Sequence, residues 1–158
     1  RLINDFKNHP VTREIQAGPT AQNLSGTLGG YGNLFTFIGF VFGTNPTHVV
    51  ENMLRNNVKL GQVKKTSISK NTVRVSVDID MPSKTAFFAA TPLPFGGGKS
   101  WLYGIESGIS GFGNYMFKKW KTSRSGRGFE TKKKIRGGSF KNTSYFSSML
   151  LDFTKRIR

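Results

Sequence analysis

The chain has no cysteine among its 158 residues. That excludes disulfides, a thiolate zinc site and a cysteine nucleophile, and it leaves the compartment open. Acid is scarce: eight Asp and Glu stand against 24 Lys and Arg, a net charge of +16. Histidine occurs twice, as His9 and His48, and neither has a second ligand at metal spacing. No apolar run near the front approaches the roughly 20 residues that span a bilayer. The longest there, Phe35 to Phe42, is interrupted by Thr36 and Gly39. The sequence begins at Arg1, so a targeting segment ahead of it stays open.

What the chain does have in quantity is glycine, phenylalanine and positive charge. The length suits one domain, 1–158, with room for a real core. The 14 phenylalanines argue against wholesale disorder. The charge is uneven: residues 118–158 carry 13 basic and 2 acidic residues, and residues 1–117 carry 11 and 6. A one-sided positive field attracts polyanions, whether nucleic acid, a membrane face or an acidic protein surface.

The stretch FGGGKS (95–100) resembles the end of a phosphate-binding loop, G-x-x-x-x-G-K-[ST]. The first glycine of that pattern falls at Leu93, however, and Pro92 and Pro94 rule out an interior strand leading into it. The spacing therefore favours a turn ahead of a helix over a nucleotide site.

Along the chain, residues 1–15 predict a short amphipathic helix with Leu2, Ile3 and Phe6 on one side, interrupted at His9-Pro10. Residues 17–33 read as a long, protruding glycine-rich loop. LFTFIGFVF (34–42) reads as strand-like or buried and extended. Residues 44–57 predict a helix lying on a sheet, with Asn45 as N-cap and Pro46 in its first position. In 61–81 the residues alternate, with Val73, Val75, Val77 and Ile79 opposite Arg74, Ser76, Asp78 and Asp80. That predicts an antiparallel hairpin with one wet face, turning at Ser69-Lys70-Asn71. Residues 83–91 are a candidate third strand.

In 100–117, Leu102, Ile105, Ile109, Phe112 and Met116 keep helical spacing despite Gly104, Gly108, Gly111 and Gly113. Each glycine costs a helix about 1 kcal/mol relative to Ala, so close packing against a sheet or a neighbouring subunit is expected at Gly104, Gly108, Gly111 and Glu106. The final segment predicts a helix capped by Asn142 or Thr143, with Tyr145, Met149, Leu150 and Phe153 as its apolar stripe. The expected fold is α+β: an antiparallel sheet with helices packed on one face, a long glycine-rich loop and an extended basic β-arm.

That arm, 118–141, holds the strongest candidate contacts: Lys118, Lys119, Lys121, Arg124, Arg127, Lys132, Lys133, Lys134 and Arg136, interleaved with Trp120 and Phe129. Cations of this kind neutralise phosphates while aromatics stack on bases. The same residues also suit a hydrated arm or contact with acidic partner subunits. No helix-turn-helix or aromatic RNP motif accompanies them, so sequence readout is not supported. Asp78 and Asp80 share a strand face without a third acid and read as solvated. No nucleophile elbow or Ser–Lys pattern occurs. A non-enzymatic protein without metal or cofactor is expected.

PLPFGGGKSWLYGIESGISGFGNYMF, followed by SRSGRGFETKKKIRGGSFKNTSYFSSMLLDF, resembles small neck and tail-completion proteins of tailed bacteriophages, the head–tail connector group. The resemblance covers about the last 70 residues. It implies a virion structural protein, assembled in the host cytoplasm. It further implies an α+β body, arms that reach neighbours, copies joined in a homo-oligomeric ring and other virion proteins as partners. No membrane partner is expected, since no clear basic amphipathic helix occurs. The alternative class is a non-specific nucleic-acid-binding protein gripping DNA phosphates through the basic aromatic arm.

Overall fold

The computed structural model describes residues 1–28, 32–69, 72–94, 98–107 and 143–156. Seven helices and one two-stranded antiparallel sheet lie among them. The basic arm 118–141, Gly108, Gly111 and the hairpin turn at Lys70-Asn71 fall outside the described residues.

The N-terminal break is where proline chemistry puts it. Helix α1 (Leu2–Asn8) ends at His9, whose ψ of 135° is extended, and α2 (Pro10–Gln16) begins with proline in its first turn. The His9 ring caps α2, Nδ1 accepting from the Val11 N–H at 3.2 Å. Burial holds the His9 pKa below its ordinary value.

The segment expected to be extended at 34–42 is instead helix α3 (Leu34–Ile38). Asn33 caps it, its Oδ1 accepting from the Thr36 N–H at 2.9 Å. Gly39 closes it in the left-handed region at φ 80°, which a side chain would disfavour. A continuous apolar run does not distinguish a buried helix from a buried strand, and here the caps decide. Helix α4 (His48–Asn57) starts later than expected; Asn45 Oδ1 accepts from the Thr47 N–H and hydroxyl ahead of it. Glu51 ties α4 to α1 through Lys7 at 2.8 Å and also meets Arg55 at 2.9 Å, and both bonds hold its carboxyl below the usual range.

Strands β1 (Lys59–Ser69) and β2 (Thr72–Asp80) form the expected hairpin. The expected third strand is helix α5 (Lys84–Ala89), because Ser83 caps it, Oγ accepting from the Ala86 N–H. Helices α6 (Trp101–Ser107) and α7 (Phe146–Lys155) complete the described set.

The core lies among the helices. Helix α1 packs on α4 and α7, α2 on α3, and α6 on α5 and α7. Phe6, Phe35, Phe87, Trp101, Tyr145 and Phe146 are buried there, with Phe87 and Phe146 rings 4.6 Å apart and Trp101 edge-on to Phe40 at 5.7 Å. The expectation that helices cover one face of the sheet is not met. Leu60, Val63, Val73 and Val75 are 77, 66, 54 and 50 % exposed. Among the described residues the hairpin joins the core at its base, through Val58 and Met81.

Candidate functional site

The hairpin gathers its apolar residues on one face, although Lys65 pairs with Val75 on that same side. β2 alternates strictly, so Val73, Val75, Val77 and Ile79 share one side. β1 does not alternate, yet its apolar residues reach that side because two irregularities shift the register, between Leu60 and Val63 and between Lys65 and Ser67. Leu60 then pairs with Ile79 and Val63 with Val77. Gly61 stands in the first irregularity because a Cβ there would sit 3.2 Å from Asp78 Cβ and 3.3 Å from its carbonyl oxygen. The opposite face is mixed in charge: Lys59 pairs with Asp80 in the register, and Lys64 Nζ lies 3.5 Å from Asp78. Asp78 and Asp80 are exposed, as a solvated face requires.

A second feature is an open groove of about 750 Å³ beside α4. Phe40, Val49, Met53, Thr91 and Trp101 line it, with Asn45, Asn52, Asn56 and Asn57. Among the described residues His48 is its one titratable lining residue, and it meets Asn52 at 3.4 Å. The described walls offer amides and apolar surface.

Two carboxylates that could suggest chemistry are tied up in the fold. Glu14 is buried and accepts from the Ser25 and Leu34 N–H groups, both at 2.7 Å, which anchors residues 17–28 and the start of α3 to α2. Asn33 Nδ2 adds bonds to the Pro19 and Ala21 carbonyls. The described part of the glycine-rich segment is therefore held against the body. Glu106 accepts from the N–H and hydroxyl of Ser147, and so caps α7 from outside. Of the two expected caps, Asn142 lies outside the described residues; Thr143 N–H donates to the Ile105 carbonyl, and Tyr145, the residue just ahead of α7, makes no side-chain cap bond. Gly104 is buried in α6, a helix packed on α5 and α7 of the same chain.

The remaining sequence signals resolve similarly. Ser100 of FGGGKS is buried; its hydroxyl bonds Thr91 Oγ1 at 2.7 Å and accepts from the Tyr103 N–H at 3.1 Å, so it caps α6. Pro92 and Ser100 bridge, and the Leu93 N–H donates to the Lys99 carbonyl at 2.8 Å. Tyr145 is buried with its hydroxyl against Thr12, and burial raises its pKa. Among the described residues no three His, Cys, Asp or Glu side chains cluster to hold a metal, and no helix is long and apolar enough to cross a membrane. The cations and aromatics from Lys118 to Arg136 lie outside the described residues.

Sequence reasoning missed Glu14 altogether and did not foresee the exposure of the hairpin's apolar face. Glu14 had a weak signal, an acid two positions from Thr12 in a helix otherwise read as amphipathic. The exposure had none, because alternation marks an apolar face without telling what covers it.

No protein-family model, curated protein or solved structure matches the chain.

Proposed function

We propose that this chain is a non-enzymatic structural subunit that works by assembly with other proteins, including copies of itself. The observation that carries the reading is the hairpin: Leu60, Val63, Val73 and Val75 form an apolar face that the helical body leaves in water. An exposed apolar face on a strand pair is a surface for another protein. The titratable groups support the same reading, since Glu14, Glu106, Glu51 and Tyr145 are each engaged in bonds that hold the fold together.

The assembly is a virion, in the head–tail junction or upper tail of a tailed phage, with copies arranged in a ring. That placement rests on the resemblance over about the last 70 residues and on nothing else. The net charge of +16 favours a second reading, non-specific grip on nucleic acid through 118–141.

The test of assembly replaces Val63 and Val75 with serine. The dilute monomer should keep its helical signal and melting temperature, while sedimentation shows association lost. Unchanged association would remove the reading. The second reading expects DNA affinity to fall steeply with salt, with the slope reduced by about one per phosphate-contacting cation removed; salt-insensitive or absent binding would refute it.

A further inference from the structure

The two strands differ as edges. β1 holds the extra residue at both register irregularities, and it carries Lys59, Lys64 and Lys65. Bulges and lysines keep a strand edge from recruiting another strand. β2 has neither. Its nine residues, TVRVSVDID, contain no lysine, glycine or proline, and among the described residues only β1 pairs with it. One edge of the hairpin is blunted and the other is left open.

The open edge is also complementary to itself. Two copies of β2 laid antiparallel about Ser76 place Val75 opposite Val77 of the second copy and Val73 opposite its Ile79. The same register sets the arginine at position 74 opposite the aspartate at position 78, and Thr72 opposite Asp80. Each pairing occurs twice, once in each direction, as a two-fold axis requires. The charges match, and the apolar residues remain on one face. A two-stranded ribbon is marginal alone, whereas four strands sharing an apolar face are not.

We propose that the outer edge of β2 joins two copies of this chain, antiparallel about a two-fold axis at Ser76, into a four-stranded sheet. This deepens the assembly reading and rests on it. A contact of this kind closes on itself, so it produces pairs; any ring is then built through other surfaces, with the pair as its unit.

The absence of native cysteine makes the test direct. Residues facing each other across an antiparallel pair have Cα atoms about 4.5–5.5 Å apart, within disulfide reach. Under mild oxidation Ser76→Cys should become mainly a covalent pair of twice 17.5 kDa. Lys64→Cys, on β1, should remain single. Asp78→Arg should weaken association of the full chain on the order of tenfold by setting like charges opposite, and Arg74→Asp combined with Asp78→Arg should restore it. Asp78 also meets Lys64 within its own hairpin, but loss of that pair would not be repaired by the double exchange. If the native chain associates while Ser76→Cys stays unlinked and the exchange does not compensate, the β2 contact is refuted and the assembly reading stands. A chain that stays at 17.5 kDa at every concentration overturns both.

Discussion

In the helical body Phe6, Phe87, Trp101 and Tyr145 are sealed from water, while in the hairpin Val63, Val73 and Val75 are at least half exposed. Both regions carry apolar residues at regular spacing, three and four apart in the helices and two apart in β2. In the body each stripe finds another helix: α1 meets α4 and α7, and α6 meets α5 and α7. In the hairpin the stripe finds no such cover. The polar groups follow the same division. Glu14 and Glu106 satisfy backbone donors inside the body, whereas Asp78 and Lys64 meet in solvent at 3.5 Å. Regular patterning makes a face; only the rest of the chain decides whether that face is core or contact surface.

The comparison breaks most visibly at the aromatic core. Trp101→Ala should destabilise the dilute chain by about 3–5 kcal/mol in urea titration, while Val75→Ala in the hairpin should stay within about 0.5 kcal/mol. Similar losses at both positions would mean that the hairpin face is packed. Next is Glu14→Ala, which strands the Ser25 and Leu34 N–H groups and should cost about 3 kcal/mol. Glu14→Gln should recover only part of this, because one of its two terminal atoms is a donor facing a donor. The gap between the two variants is readable in the same titration.

Glu106→Ala should cost less, about 1–2 kcal/mol, since it removes an N-terminal cap of a single helix. Faster amide exchange in the first turn of α7, with the rest of the body unchanged, would localise the effect. The smallest effect concerns pH. The folded pKa of His9 is lowered, so the unfolded chain binds the proton first. The His9 contribution is present above 6.5 and is lost as pH falls through that value toward the folded one. His9→Asn keeps a capping acceptor for Val11 and should flatten this part of a melting-temperature profile between pH 7 and 5.

Much of the local structure was legible. His9-Pro10 marked the helix break, the alternation in 72–80 marked β2, and Met149 and Leu150 marked the buried stripe of α7; of the other two expected members, Tyr145 is buried just ahead of the helix and Phe153 is half-buried, while Phe146 was missed. Helices α3 and α5 were misread as extended although Asn33 and Ser83 stand three residues ahead of the amides they cap. Their short apolar runs carry too few turns for periodicity to speak, so capping residues were the better signal. The tertiary caps were not legible at all: Glu106 lies 41 residues from Ser147, and Glu14 lies 20 from Leu34. Of the candidate site, Asp78 and Asp80 read correctly as solvated. The hairpin's open face did not, because sequence alternation is silent about cover.

Hydrogen exchange of the native chain, followed from dilute to concentrated solution, tests the division between body and hairpin most directly. The account predicts that amides of β2 gain protection as concentration rises while those of α1, α4 and α6 keep theirs throughout. Exchange in β2 that is independent of concentration, with the chain at 17.5 kDa in every sample, would contradict it.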